Sequence, residues 1–147
     1  MPNLRVRALQ LLARRDHSRA ELKSKLAGEA ESVEELSAVL DILEAERLLC
    51  DQRYANQRVV ARARRYGNGR LKQELRFSGV SEEEIAAALP EGGDEVERCQ
   101  SVWLRKFGEL AKTPEERAKQ MRFLQYRGFS GEAIKQTMRR ASRGTDE

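Results

Sequence analysis

Apolar side chains recur at the three- and four-residue spacing of an amphipathic helix along almost the whole chain. Near the beginning they stand at Leu4, Ala8, Leu11 and Leu12. Because these positions share one face of a helix, they predict a first helix over residues 4–15. No segment alternates for long between apolar and polar residues, as a half-buried strand would. The pattern therefore predicts an all-α protein.

Capping residues separate the predicted helices from one another. Capping boxes, in which a serine and a glutamate three residues later satisfy each other's backbone N–H groups, begin at Ser18, Ser32 and Ser81. Thr113 followed by Pro114 indicates another helix start, because threonine caps well and proline suits the first helical position. Gly79 and Gly128 each follow an apolar stripe, where a left-handed residue ends a helix.

The apolar positions also repeat with an offset of 49 residues. The first set is Leu22, Leu26, Leu36, Val39 and Leu40, which corresponds to Leu71, Leu75, Ile85, Ala88 and Leu89. A second shift relates Leu75, Gly79, Val80, Ile85 and Leu89 to Leu124, Gly128, Phe129, Ile134 and Met138. Ala30 occupies the position of Gly79 and Gly128, so the first repeat should turn differently.

A repeat of this length buries too little apolar surface to be very stable alone, so neighbouring repeats should pack in series. We predict three tandem three-helix repeats that form an elongated, curved array. Their predicted bounds are residues 1–50, 51–91 and 92–143, and residues 144–147 are predicted to be a disordered tail.

Charge follows the repeats. The 28 lysines and arginines exceed the 24 aspartates and glutamates, which gives a net charge of +4. Residues 51–80 carry eight basic and two acidic side chains, whereas residues 81–97 carry seven acidic and no basic ones. The first two helices of each repeat are basic, and the third helix is acidic in two repeats. A positive stripe for an anionic partner is one interpretation, and charges that pair inside the molecule are the other.

The sequence lacks the motifs of the common enzyme classes. His17 is the one histidine, and Cys50 and Cys99 are the two cysteines, too few and too far apart for a zinc site. Gly67–Gly69 lacks the lysine and further glycine of a phosphate-binding loop. The run Glu82–Glu84 begins a helix, where carboxylates complement the helix dipole. We therefore predict no catalytic residues, no cofactor, no metal and no small-molecule substrate.

Composition also predicts the compartment. No stretch approaches the roughly 18–20 apolar residues of a membrane-spanning helix, and no secretory signal opens the chain. Two cysteines outside any Cys-x-x-Cys pair are interpreted as buried thiols in a reducing environment. The expected location is the cytoplasm, without membrane association.

The central repeat carries the clearest candidate binding surface. A helix predicted over residues 53–66 places Ala55, Val59, Ala63 and Tyr66 on its core face. Its second face carries arginines with Tyr54 beside them, and further cations follow the glycine turn. The candidate partner-binding residues are Arg58, Arg62, Arg64, Arg65, Arg70, Lys72, Arg76, Arg122 and Arg127. Arginine forks suit carboxylate- or phosphate-bearing partners. Pairing with Glu82–Glu84 or Glu95–Glu97 is the alternative, and Trp103, Phe107 and Phe123 are expected in the core.

Four stretches resemble the RecX regulatory family. They are ALQLLARRDHSRAEL at residues 8–22, DQRYA at residues 51–55, RARRYGNGRLKQELR at residues 62–76 and RFLQYRGFS at residues 122–130. The resemblance covers roughly residues 4–140 in the right order. Ala30, where the family usually has glycine, and the acidic linker of residues 90–97 depart from the pattern.

The resemblance implies a cytoplasmic bacterial protein that binds the RecA recombinase. Members of the family consist of three three-helix repeats and lie in the groove of the RecA–DNA filament, where they modulate ATP hydrolysis, filament growth and strand exchange. The resemblance also implies a structural role for His17, and it leaves direct contact with DNA open. The alternative function is a sequence-independent DNA-binding protein whose basic helices follow phosphates.

Overall fold

The structure, a computed structural model, describes residues 3–144. Within these residues the chain forms nine α-helices and one short 3-10 helix, and it contains no strand, which confirms the all-α prediction. The helices are α1 (Leu4–Arg14), α2 (Arg19–Leu26), α3 (Val33–Ala45), α4 (Asp51–Arg62), α5 (Asn68–Phe77), α6 (Glu82–Ala88), α7 (Glu95–Lys106), α8 (Pro114–Tyr126) and α9 (Gly131–Gly144), with the 3-10 helix at Leu89–Gly92. Of the predicted tail, residues 145–147 lie outside the described residues, and Gly144 ends α9.

The predicted caps are present at each helix start. The capping boxes at Ser18 and Ser81 are complete, because each serine hydroxyl accepts from a backbone N–H and each glutamate reaches back. At Ser32 the hydroxyl caps α3, but the carboxylate of Glu35 accepts instead from the backbone N–H of Glu31 at 2.9 Å. Thr113 caps α8 as predicted, with a proline at the first helical position.

The chain divides into two compact units. The first unit consists of residues 3–57 and 75–87, and the second of residues 58–74 and 88–144. The predicted repeat bounds do not coincide with these units and remain predictions.

Leucines dominate the core of the first unit, where α1, α2 and α3 pack together. Its fully buried members are Leu4, Ala8, Leu22, Leu26, Leu36, Leu40, Leu43 and Leu49. The positions that the 3.6-residue periodicity marked as apolar stripes therefore face inward. The turn after α2 differs from the later turns, as predicted, because Ala30 donates to the carbonyl of Leu26 without a left-handed residue.

A close backbone contact in the first unit joins the start of α2 to the end of α5. The Ser18 hydroxyl donates to the carbonyl of Ser78 at 2.6 Å, and the backbone N–H of Arg19 donates to the Asp51 carboxylate at 2.7 Å. Gly79 has a φ of 81°, and a Cβ built on it would overlap the side chain of Ala20. Both the left-handed conformation and the close approach therefore require glycine at this position.

The second unit repeats that contact 49 residues later. The backbone N–H of Gly67 donates to the carbonyl of Arg127 at 2.9 Å, and that of Gly69 donates to the carbonyl of Gly128 at 3.0 Å. A Cβ on Gly67 would overlap the backbone of Phe129. The Glu95 carboxylate accepts from the backbone N–H of Asn68 at 2.9 Å, as Asp51 accepts from Arg19 in the first unit, although only the donors of these two contacts are 49 residues apart. The 49-residue repeat thus recurs in backbone contacts as well as in apolar positions.

Helices α7, α8 and α9 enclose the core of the second unit. Its buried members are Cys99, Val102, Trp103, Leu124, Phe129, Ala133, Ile134 and Met138. Trp103 lies in the core as predicted, and its indole N–H donates to the Gln120 side chain at 2.9 Å. Phe107 and Phe123 are partly buried against this core. Their rings pack edge to face on each other, with centroids 5.5 Å apart.

His17 is buried in the turn before α2, between two groups that define its tautomer. Its Nδ1 lies 3.0 Å from the carbonyl of Arg15, and its Nε2 lies 2.9 Å from Nζ of Lys25. A carbonyl can only accept and an ammonium can only donate, so Nδ1 carries the hydrogen and Nε2 accepts. Burial, together with the nearby Arg15 and Lys25 charges, lowers the pKa of His17 below its ordinary value of 6.5, although the hydrogen bond to the Arg15 carbonyl and the charge of Glu21 oppose this.

The free energy of unfolding should therefore decrease as the pH is lowered below about 6.5, because the unfolded chain then binds a proton at His17 more readily than the folded chain does. A lowered folded pKa means that this contribution is present above pH 6.5 and is lost as the pH falls. Urea unfolding between pH 7.5 and 5.5 should give a steeper loss for the wild type than for His17→Asn, which keeps a donor near the Arg15 carbonyl. The difference in slope should stay below about 1.4 kcal/mol per pH unit, the limit for one proton. Parallel pH profiles would contradict the assignment.

Candidate functional site

Helix α4 ends at Arg62, four residues before the predicted end, and arginine side chains bind the backbone carbonyls that follow it. Arg98 donates to the carbonyl of Ala63 at 3.0 Å, and Arg105 donates to that of Arg64 at 2.5 Å. Arg127 donates to the carbonyl of Arg65 at 3.3 Å. The last carbonyls of a helix have no partner within the helix and carry partial negative charge, so they attract these three cations.

These contacts gather basic side chains around a groove of about 780 Å³ in the second unit. The groove, called here the cationic groove, is lined by Ala61, Arg62, Arg64, Arg65, Tyr66, Val102, Arg105, Lys106, Phe123 and Arg127. Six of its ten lining residues are arginine or lysine, and none is aspartate or glutamate. A concave surface with one sign of charge concentrates oppositely charged groups, so this groove can bind anionic partners.

Two aromatic side chains, Tyr66 and Phe123, line the groove, and cations lie over their rings. The guanidinium carbons of Arg62, Arg70 and Arg127 lie 4.7, 4.2 and 5.4 Å from the ring centroid of Tyr66. Tyr66 is half-buried rather than part of the core stripe, so that prediction is wrong. Tyr66 lies four residues after the end of α4, outside the helix, with its ring against the arginines.

Two cations lie over the ring of Phe123, and one of them, Arg127, also contacts Tyr66. Nζ of Lys106 lies 5.2 Å from the Phe123 ring centroid, and the guanidinium carbon of Arg127 lies 5.0 Å from it. Contacts of this geometry attract a cation through the negative face of the ring. Because a ring carries no net charge, it holds these cations without neutralising them.

One carboxylate pairs with this cluster within the described residues. Glu74 accepts from Arg62 at 2.7 Å, and the hydrogen bond raises the pKa of that guanidinium. The same carboxylate lies 3.8 Å from Nε of Arg70. Arg76 pairs with Glu82 in the first unit. Internal pairing thus involves some of the predicted binding residues. Arg76 pairs within the suggested Glu82–Glu84 run, whereas Arg62 pairs with Glu74 and not with the suggested Glu95–Glu97.

The groove collects part of the predicted set. Four of the predicted residues line it: Arg62, Arg64, Arg65 and Arg127. Arg70 reaches it through Tyr66. Four others lie outside its lining: Arg58, Lys72, Arg76 and Arg122. Tyr54, expected beside the arginines, is 4 % exposed, and its hydroxyl lies 3.0 Å from that of Ser78.

Two lining residues were not predicted, Arg105 and Lys106, and neither was Arg98, which supports the groove from beneath its lining by donating to the carbonyl of Ala63. Arg105 and Lys106 lie in the last turn of α7, more than 35 residues along the chain from Tyr66. Arg98 is 9 % exposed and donates to four oxygens, those of Ala63, Tyr66 and Gly93 and the Asn68 side chain. Burial lowers the pKa of its guanidinium. The sequence shows that these three residues are basic, but it does not show which oxygens or rings their side chains contact.

The described residues contain no group of three histidine, cysteine, aspartate or glutamate side chains that could hold a metal ion. Within the same part of the chain, no helix is long and apolar enough to cross a membrane.

Comparisons with known proteins identify close relatives. Residues 51–89 match the model of the second three-helix domain of RecX, and residues 93–138 match that of the third. Regulatory protein RecX of Herminiimonas arsenicoxydans is 44% identical over 98% of this chain and 96% of the relative. The RecX protein of Neisseria meningitidis is 38% identical over 95% of this chain and 91% of the relative. The crystal structure of RecX from Lactobacillus salivarius covers 95% of this chain and 94% of its own, with a TM-score of 0.84 at 20% identity.

Proposed function

The chain belongs to the RecX family of regulatory proteins, and we propose that it binds the RecA recombinase in its filament on DNA. There it modulates ATP hydrolysis, filament growth and strand exchange. Family membership confirms the resemblance seen in the sequence and assigns the chain to DNA recombination and repair. The predicted repeat of three-helix domains is likewise confirmed by the family and by the solved structures.

The cationic groove is the observation that carries this proposal. Six basic side chains around one concavity, with no carboxylate in its lining, present charge that a protein partner or its bound DNA can neutralise. The proposed partner-binding surface is therefore this groove together with Arg70. Of the other predicted residues, Arg58, Lys72 and Arg122 lie in the second unit outside the groove lining, and Arg76 lies in the first unit. The protein acts by binding rather than by catalysis, without a cofactor, and in the cytoplasm with RecA.

Sequence-independent DNA binding is the second candidate, since arginine forks also fit phosphates. Proteins that bind single strands usually add aromatic side chains on which bases stack. Both groove rings are instead covered by cations. DNA bound in this groove would be contacted through its phosphates.

The decisive experiment is a titration of the protein into RecA with single-stranded DNA and ATP. We expect DNA-dependent ATP hydrolysis to change at substoichiometric to equimolar ratios, while the protein alone hydrolyses no ATP. Binding to the filament should be tighter than binding to the same DNA without RecA at equal salt. An unchanged hydrolysis rate together with equal affinity for bare DNA would instead favour the second candidate.

A further inference from the structure

Tyr66 lies at the meeting point of three arginines that come from three separate parts of the second unit. Arg62 ends α4, Arg70 lies in the first turn of α5, and Arg127 follows α8. All three guanidinium carbons lie within 5.4 Å of its ring centroid. The backbone carbonyl of Tyr66 also accepts from the buried Arg98 at 3.2 Å, which holds the residue in place.

Three guanidinium groups around one point repel each other, and Glu74 supplies a single negative charge among them. A second carboxylate would hold the arginines equally well, but it would cancel charge that a partner needs. The face of an aromatic ring attracts each cation through its negative quadrupole and leaves the net charge of the cluster unchanged. The ring therefore orders the arginines while it keeps them available.

We propose that Tyr66 is the positioning residue of the cationic groove: its ring holds Arg62, Arg70 and Arg127 in the orientation that an anionic partner meets. The identity of that partner rests on the proposed function, but the positioning itself does not. Tyr66 touches the arginines rather than the partner's reacting or recognised groups, so it acts through them.

The first test examines the free protein. Protons above a ring face are shifted upfield in NMR spectra, so the side-chain resonances of Arg62 and Arg70 should lie upfield of their usual positions. Tyr66→Leu should return them toward those positions, whereas Tyr66→Phe should keep the shift because it retains the ring. Phe77→Leu, at a side chain that is 95 % exposed in the first unit, is the matched control and should change neither arginine.

The second test measures binding to RecA–DNA filaments at several salt concentrations. Tyr66→Leu should bind about fivefold more weakly than the wild type, because its arginines are disordered before binding and lose more conformational entropy when they bind. Its salt dependence should be shallower, because fewer arginines contact the partner at once and fewer counterions are released. Tyr66→Phe should bind within about twofold of the wild type. A role in folding alone would lower the melting temperature without changing the salt dependence.

The two tests fail separately. Wild-type protein that does not bind filaments overturns the proposed function, whereas the NMR comparison still decides the role of Tyr66. Arginine resonances that stay the same in Tyr66→Leu would overturn the positioning role. A Tyr66→Phe variant that loses the upfield shifts or binds as weakly as Tyr66→Leu would also overturn it, since the ring would then not be what holds the arginines.

Discussion

Reversing the charges of Arg64 and Arg65 together should weaken binding to RecA–DNA filaments by about thirtyfold, or about 2 kcal/mol. Both side chains are exposed and line the cationic groove, so two glutamates there would repel an anionic partner. Raising the salt should weaken the wild type more than the variant, because screening removes an attraction that the variant lacks. Fluorescence anisotropy with labelled filaments measures both effects.

The chain offers a matched control for this double variant. Arg14→Glu with Lys23→Glu makes the same charge change at exposed residues in the last turns of α1 and α2. Both variants oppose a helix dipole to a similar degree, so their melting temperatures should be alike. A folded Arg64/Arg65 variant that binds like the wild type would move the interface away from the groove, with Arg122, Arg139 and Arg140 as the next candidates.

Arg62 and Arg70 are less suitable for charge reversal, although the sequence singled them out equally. Arg62 is paired with Glu74 at 2.7 Å, and both arginines lie over Tyr66. A glutamate at position 62 would face Glu74 directly, which would lower stability as well as affinity. A loss of binding in that variant would therefore not distinguish the interface from the fold.

Replacing Arg98 by methionine should destabilise the protein by about 3 kcal/mol, because three backbone carbonyls and one side-chain oxygen lose their donor together. The guanidinium is 9 % exposed and joins the end of α4, the turn at Asn68 and the loop at Gly93. For a chain of this length, that loss corresponds to a melting temperature lowered by about 6–12 °C. Circular dichroism during heating measures the change.

Arg98→Lys should recover less than half of this loss, since an ammonium group cannot reach acceptors on several sides of the planar guanidinium. Arg139→Met, at an exposed position of α9, is the control for loss of an arginine and should melt close to the wild type. If Arg98→Met melts as Arg139→Met does, the four hydrogen bonds contribute nothing that solvent does not replace.

The order of the helices and the capped starts of several could be predicted because their causes are local. A serine followed three residues later by glutamate caps the helix that begins there, as at Ser18 and Ser81. Glycine at 79 and 128 indicated left-handed turns, and the structure gives these residues φ values of 81° and 92°. The 49-residue repeat was visible because each repeat buries the same helix faces. The end of α4 was misplaced, and the carbonyls beyond it accept from side chains that are distant in the sequence.

The sequence by itself determined that this protein is helical, repetitive and basic over residues 51–80 and 98–143, and that its residues match one family. Those properties depend on local spacing, capping and composition. Only the tertiary structure decided which arginines share a groove, because Arg64 follows α4, Arg105 lies in α7 and Arg127 follows α8. It also decided that Tyr66 is half-buried, with arginine guanidinium groups over its ring. The contacts that a side chain makes across the fold depend on packing and on which backbone carbonyls at a helix end lack a partner within the helix. The periodicity of the sequence contains neither kind of information.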